Sequence, residues 1–587
     1  MGSNAQQASN AHLTEPTRLT GAEIIWATLV GEGVDTVFGY PGGAILPTYD
    51  ALRKFPIHHV LVRHEQGAAH MADGYARASG KVGVAIATSG PGATNLVTGI
   101  ATAMLDSIPL VCITGNVSSK LLGTDAFQEV DITGITLPVT KHNFLINKAE
   151  DIAPAIRHAF QIARSGRPGP VLVDVTKDAQ QATAVFDFEA AKPRAYRPHP
   201  MLNVQPVDLD KAAELIRNAK RPVILAGHGV SESGAMEQVR TLAERTQTPV
   251  ALTLLGLGVF PASHPLNLGM MGMHGEAWVN DAIQESDLLI ACGMRFDDRV
   301  TGTLATYATK AKKIHIEIDP AEINKNVKID VALVGDLRDV LEELLPRIPG
   351  RDGSAWLRTI DAQKGDSAVR DIKNLPDSGH LYAAHVVHDL WRLTGGNAIV
   401  VTDVGQHQMW EAQYFHHEQP RTLITSGGLG TMGFALPAAI GAKFACPDKE
   451  VWVVVGDGGF QMTAAELSTI AQEGIKVNIA VINNGFLGMV RQWQEFFYDR
   501  NYESTPLVSP DFVKLADAHG IAGLAVRKRA EVEPAVGQAR SNNGAFLLNF
   551  LVEKEDSVYP MIPVGSALHE MIRRPRKNPL VESSDDN

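Results

Sequence analysis

Two short apolar runs, residues 451–455 (VWVVV) and 477–482 (VNIAVI), each stop at a polar motif. The first ends at Gly456-Asp457-Gly458 and the second at Asn483-Asn484. Runs this short and this rich in branched residues predict buried parallel strands, which are apolar on both faces instead of alternating. A strand that stops at Gly-Asp-Gly predicts a tight loop. Glycine lets the backbone approach a phosphate closely, and backbone N–H groups can then point at it. Asp457 and Asn484 add two hard oxygen ligands at the ends of two strands. That set suits Mg²⁺, which takes one or two protein oxygens together with phosphate oxygens and water.

The chain is long enough for about four domains. With 587 residues, 45% hydrophobic and 20% charged, it has the composition of a globular protein and not of a disordered one. A net charge of −12 argues against a general nucleic-acid binder. The three cysteines, Cys112, Cys292 and Cys446, fit no metal spacing. They read as inert buried thiols in a reducing cytoplasm. No apolar run is long enough to span a bilayer. Residues 1–16 are polar and lack the apolar centre of a secretory signal, so they read as a frayed leader. Residues 566–587 read as a solvated tail or a lid.

Three α/β blocks follow along the chain. The first has strand-like runs at 82–88, 110–114 and 171–175, alternating with helix-like segments at 67–79 and 151–164. The second has runs at 223–226, 250–254, 288–292 and 314–318, and the third at 398–402, 451–455, 477–482 and 546–551. Such alternation predicts parallel sheets covered by helices on both faces. The expected fold class is therefore α/β, with three doubly wound parallel-sheet domains over residues 17–190, 207–346 and 380–565. The proline-marked stretch 191–206 and the charged stretch 347–379 read as linkers. In the second linker, Trp356 and Leu357 mark a short packed helix.

Other segments carry chemistry. Glu65 follows the short run 59–62 and opens a helix of small residues. By itself it reads as a helix-start carboxylate favoured by the dipole. Residues 83–95, ending Thr88-Ser89-Gly90-Pro91-Gly92-Ala93-Thr94-Asn95, read as a strand and tight turn. The third block also contains Asp403-Val404-Gly405-Gln406-His407-Gln408, Gly428-Leu429-Gly430-Thr431-Met432-Gly433 and Gly488-Met489-Val490-Arg491-Gln492-Trp493. The second block places Gly227, Gly229, Thr253, Leu254, Gly272, His274, Gly293, Arg295, Asp297, Arg299, Glu317, Ile318 and Asp336 at or near its strand ends. Strand-end glycines with acidic partners suit a dinucleotide.

Taken together, over roughly residues 17–565, these segments resemble the catalytic subunits of the acetohydroxyacid synthase (acetolactate synthase) family of thiamin diphosphate (ThDP) enzymes. Further matches are Gly39-Tyr40-Pro41-Gly42-Gly43-Ala44, Gly123-Thr124-Asp125-Ala126-Phe127-Gln128-Glu129 and Ser165-Gly166-Arg167-Pro168-Gly169-Pro170. The Arg295-Phe296-Asp297-Asp298-Arg299 and Met489-to-Trp493 segments narrow the likeness to the biosynthetic, FAD-containing synthases.

The resemblance implies that the first domain binds the pyrimidine ring, the second FAD and the third the diphosphate. Glu65 would share a proton with N1′ of the aminopyrimidine, so that the ring's own amino group can take the C2 proton. Met432 would buttress the bent cofactor, and the Gly430 carbonyl would accept from its amino group. The diphosphate would rest on Val404, Gly405, Gln406, His407, Gly456, Gly458 and Gly459. Mg²⁺ would take Asp457, Asn484 and the Phe486 carbonyl. Gly459 departs from the family, which often has Ser there.

The implied reaction decarboxylates pyruvate and joins its two-carbon fragment to pyruvate or 2-ketobutyrate, in branched-chain amino-acid biosynthesis. Arg295 would hold the acceptor carboxylate, the FAD, or both. Met489 and Trp493 would shape the acceptor pocket. Gly43, Ala44, Phe127, Gln128 and Lys141 would close it from a second copy, and Arg167 would reach the FAD. The resemblance also implies a homodimer or homotetramer, a separate regulatory small subunit and a cytoplasmic setting. Ser118 stands where many relatives have Pro at the channel rim. Pyruvate oxidase, catabolic acetolactate synthase and a non-catalytic relative are the competing readings. Glyoxylate carboligase lacks the activating Glu, and Glu65 is present.

Overall fold

The structure is a computed structural model that describes residues 16–193, 204–364, 375 and 380–574. Nearly all of the expected leader, part of each linker, and residues 575–587 lie outside that range. The chain divides into two compact units, residues 1–201 with 380–408 and 421–554, and residues 202–379 with 409–420 and 555–587.

The first unit holds two six-stranded parallel sheets. One comprises β1 (Thr36–Gly39), β2 (His58–Leu61), β3 (Gly83–Ala87), β4 (Leu110–Asn116), β5 (His142–Ile146) and β6 (Val171–Thr176), in the order β2-β1-β3-β4-β6-β5. Its central strands β3 and β4 are buried at every position, as their apolar sequences require. The other sheet, numbered in chain order with the six strands of the second unit between, comprises β13 (Ile399–Thr402), β14 (Leu423–Thr425), β15 (Val451–Gly456), β16 (Asn478–Asn483), β17 (Ala522–Val526) and β18 (Phe546–Leu551). It runs β14-β13-β15-β16-β18-β17. Counted within each sheet the two orders are identical, a shared topology that residue identity did not reveal.

One continuous core joins these two sheets, from Phe38 and Ala68 through Phe434 and Leu436 to Leu547. At its centre, helix α1 (Glu65–Ser79) crosses helix α4 (Ala435–Ala445). A Cβ on Gly74 would lie 2.0 Å from the Ala438 carbonyl oxygen, and one on Gly441 would lie 1.8 Å from that of Met71. The small-residue sequences of both helices thus permit backbone-to-backbone contact that any side chain would prevent.

The second unit has one six-stranded sheet. It comprises β7 (Pro222–Ala226), β8 (Val250–Leu252), β9 (Asn267–Met270), β10 (Leu288–Cys292), β11 (Lys312–Glu317) and β12 (Val331–Val334), ordered β9-β8-β7-β10-β11-β12. Strand β8 is shorter than the apolar run suggests. After Leu252 the Thr253 N–H donates to Ala226 O, and Leu254–Gly256 turns away as a 3-10 helix. The expected helix around Trp356 is Ser354–Gln363; Trp356 is buried and its Nε1 donates to Pro222 O. Residues 566–574 are no free tail. Leu568 is buried, Thr303 N donates to Ser566 O, and Met561 pairs with Ile572.

Candidate active site

In an open parallel sheet, ligands sit beyond the carboxyl ends of the strands where the strand order reverses. For the sheet carrying Gly-Asp-Gly, that point lies between β13 and β15. Strand β13 runs into Asp403-Val404-Gly405-Gln406-His407, and β15 into Gly456-Asp457-Gly458. The expected tight loop after β15 is instead the first turn of a helix, α5 (Asp457–Thr463), which begins directly at Asp457.

His407 is buried, and among the described residues its Nε2 has no hydrogen-bond partner. Burial pushes the imidazole down to about 3, and a hydrogen bond to the Asp403 backbone offsets only part of that. A buried ring atom without a partner is costly unless a ligand meets it. Asp403, buried and pushed up to about 6 by desolvation, accepts from the N–H groups of Val404, Gly433 and Ala435. One carboxylate therefore ties the end of β13 to the segment holding Gly430 and Met432. Gly430 has φ +70° and an exposed backbone, so its carbonyl is open to a ligand.

Gly459 has a local explanation. A Cβ there would stand 2.7 Å from Asp403 Oδ1. Gly459→Ser therefore displaces the carboxylate that anchors three backbone N–H groups, and is expected to destabilise the chain by about 1–3 kcal/mol. Thermal unfolding checks this; an unchanged midpoint contradicts it.

Asp457 and Asn484 lie just beyond neighbouring strand ends, because Gly456 pairs with Ile482 in register. Burial pushes Asp457 up to about 6, against hydrogen bonds from Ser509 and the Gly485 backbone. Asn484 Oδ1 accepts from Phe486 N, and its Nδ2 donates to Gln406 Oε1 at 3.3 Å. Gln406 in turn donates to Gln492 Oε1 at 2.9 Å. Among the described residues no group of three or more His, Cys, Asp or Glu could hold a metal. A cation at this site would rest on two side chains, a carbonyl and ligand oxygens, which is the Mg²⁺ pattern.

Glu65 opens α1, and its Oε2 accepts from Asn95 Nδ2 at 2.9 Å. The two preceding residues are held from the short 3-10 helix Ala464–Glu466: the N–H groups of Arg63 and His64 both donate to buried Glu466 at 3.1 Å. Met489 and Trp493 lie four apart on helix α6 (Gly488–Phe497), hence on one face, and both are half-buried. Phe127 is 88% exposed and Gln128 adopts φ +61° in the loop before it turns back. Lys141 donates to the carbonyls of Ile162 and Ser165, closing the end of a helix. Arg167 Nε donates to Ser107 Oγ.

In the second unit the strand order reverses between β7 and β10. There Gly227 N donates to Cys292 O and Gly229 N to Gly293 O. Glu317, at the end of β11, accepts from Ile318 N and Asp319 N, and Arg295 pairs with Asp297 at 3.6 Å. Asp336 caps helix α3 (Leu337–Leu344). His274 is buried and pushed down to about 4. The Gly227 and Gly229 contacts close the glycine-rich ends of β7 and β10 against each other at that reversal.

Sequence reading passed over Asp403, Asn95, Glu466, Gln492 and Ser509 as site residues. Asp403 alone gave a signal, as a carboxylate ending an apolar strand. The other four act through partners distant in the chain.

Family comparison reads the same architecture. Residues 19–135 match the thiamine pyrophosphate enzyme N-terminal TPP binding domain, 209–344 the central domain, and 403–550 the C-terminal TPP binding domain. The segments that follow strands β13 and β15 fall within the matched C-terminal TPP binding domain. The chain is 50% identical over 578 residues to the acetolactate synthase large subunit of Corynebacterium glutamicum, covering 96% of this chain and 91% of that one. It is 50% identical over 567 residues to the acetolactate synthase large subunit of Mycobacterium tuberculosis, covering 94% and 91%. To the probable acetolactate synthase large subunit of Methanocaldococcus jannaschii it is 46% identical over 580 residues, covering 96% and 97%. The chain belongs to the acetolactate synthase large-subunit family of thiamine pyrophosphate enzymes.

Proposed function

We propose that this chain is the catalytic subunit of an acetohydroxyacid synthase. It joins the two-carbon fragment of pyruvate to a second 2-keto acid and releases CO₂. Pyruvate as acceptor gives 2-acetolactate, and 2-ketobutyrate gives 2-aceto-2-hydroxybutyrate. The observation that carries this reading is the buried, partnerless His407 Nε2 at the same strand-order reversal as Asp457, in a chain half identical to acetolactate synthase large subunits.

Bound ThDP supplies the nucleophilic carbon and the electron sink for decarboxylation. The chain's own residues do the rest. Glu65, steadied by Asn95, holds and shares the proton at N1′ of the aminopyrimidine. Gly430 and Met432 would hold the aminopyrimidine half of the cofactor, His407 and the Gly458 N–H would take diphosphate oxygens, and Asp457 with Asn484 and the Phe486 carbonyl would hold Mg²⁺. Met489 and Trp493 form an apolar wall for the acceptor; Arg295, in the second unit, is assigned to the acceptor carboxylate, to FAD, or to both. The crevice between β7 and β10 would hold FAD as a structural group, and Arg167 is a further FAD-binding residue by the resemblance. Two copies form the working unit, in which Gly43, Ala44, Phe127, Gln128 and Lys141 of one close the pocket of the other. The exposed Phe127 supports that arrangement.

A small regulatory subunit is expected from the relatives' large-subunit names. Among the described residues no helix is long and apolar enough to cross a membrane. We place the enzyme in the cytoplasm, on three cysteines that form no disulfide.

Product analysis tests the reaction: pyruvate must give 2-acetolactate and CO₂, whereas acetaldehyde or acetate as main product overturns it. The acceptor wall makes its own prediction. An extra methylene in an apolar pocket is worth about 10- to 200-fold in discrimination. Trp493→Leu should lower the preference for 2-ketobutyrate over pyruvate about tenfold. A competition assay reads this from the product ratio, and an unchanged ratio removes Trp493 from the pocket.

A further inference from the structure

The polar cluster at the far end of α1 is not used by the mechanism above. Arg77 lies on the helix that Glu65 opens, roughly 18 Å further along it. Its guanidinium is buried and pairs with Asp73, also buried, and with Asp106 at 2.9 Å. It also donates to Thr425 O, the last residue of β14. Asp106 ends helix α2 (Val97–Asp106) and reaches into the same loop. It accepts from Gly427 N at 3.0 Å and Gly428 N at 2.7 Å. One turn earlier on α2, the Thr102 hydroxyl meets that of Thr431 at 2.8 Å, and Thr431 N donates to Ser426 Oγ.

These contacts bracket Gly428–Leu429–Gly430, the exposed stretch in a loop otherwise tied down at both ends. Two carboxylates and one guanidinium in a dry core are poorly explained by stability, since well-packed apolar residues generally serve as well or better. What charge provides here is direction. Two adjacent backbone N–H groups are fixed on one carboxylate, and the Gly430 carbonyl two residues on is aimed accordingly.

We propose that Asp106, oriented by Arg77, is a positioning residue that sets the Gly430–Met432 segment against the aminopyrimidine half of the cofactor. Thr102 holds the outgoing end of the same loop. This rests on the ThDP reading above and goes beyond it, because it assigns the aim of the loop to helices α1 and α2. The Glu65 helix and the Gly430 loop are then held in one rigid frame.

The test compares two probes on the full-length chain with Mg²⁺: ThDP, and inorganic diphosphate, which lacks the pyrimidine. Asp106→Asn keeps the shape but replaces one acceptor oxygen with a donor. ThDP affinity by titration calorimetry should fall about tenfold, and the near-ultraviolet circular dichroism induced in the bound aminopyrimidine should weaken. Inorganic diphosphate should bind within about twofold of wild type, because His407 and Gly458 are untouched. Thr102→Val, a milder change that leaves the ion cluster intact, should lower ThDP affinity about threefold in the same pattern. Equal losses for both probes, or unchanged ThDP affinity and dichroism in both variants, overturn the proposal. If Asp106→Asn does not fold, Thr102→Val decides alone. A wild-type chain that binds diphosphate but not ThDP would instead overturn the cofactor reading beneath it.

Discussion

Glu65→Gln is expected to lower acetolactate formation by about 10²- to 10⁴-fold, the range that one positioned proton-sharing group contributes. The substitution keeps size and preserves an oxygen to accept from Asn95, so the helix start and the Glu466 contacts to Arg63 and His64 should survive. What disappears is an acid that can exchange a proton with the ring. ThDP affinity should therefore stay within about threefold, so the loss falls on kcat and leaves cofactor saturation alone. A stopped assay at saturating ThDP, together with a titration of cofactor binding, separates these quantities. Retention of more than a tenth of the activity would remove Glu65 from the proton-sharing role.

The second large effect is expected at Asp457. Asp457→Asn keeps the side-chain shape and can keep the contact with Ser509, but it removes the only carboxylate proposed for the cation. Mg²⁺ holds its position through charge as well as through oxygen count, and Asn484 cannot replace that charge. The Mg²⁺ concentration for half-maximal activity should rise about 100-fold, in line with the loss of one ligand. ThDP should also wash off the variant during desalting in Mg²⁺ buffer and stay on the wild type. If Asp457→Asn keeps its cofactor through desalting, the cation is held elsewhere.

Much of this was legible in the sequence because it is written locally. Parallel strands buried on both faces show as unbroken apolar runs, so all three sheets could be anticipated from runs such as 451–455 and 288–292. Strand-end motifs were readable for the same reason: the residues that face a ligand directly follow the run that positions them. Contacts made across the fold were not readable. Glu466 supports the peptides before Glu65 from about four hundred residues away, and Asp106 holds Gly427 and Gly428 across the junction of two sheets. Neither leaves a local pattern, since a buried carboxylate with backbone partners looks in sequence like any helix-end acid. Element ends also escaped. The loop expected at Asp457 is a helix start because Gly456 already has the extended backbone of a cap residue. The stretch from 566 that read as a tail or lid packs as far as 574, because Leu568 finds an apolar site in the second unit.

The carboligase activity is read directly as 2-acetolactate formed from pyruvate by the purified chain with ThDP and Mg²⁺, assayed with and without added FAD in an oxygen electrode. Acetolactate that depends on ThDP, Mg²⁺ and FAD is expected, with no oxygen consumed beyond a flavin-only control. Acetolactate formed equally well by flavin-free protein would contradict the FAD assignment of the second unit. Oxygen uptake in step with pyruvate consumption would contradict the carboligase reading itself.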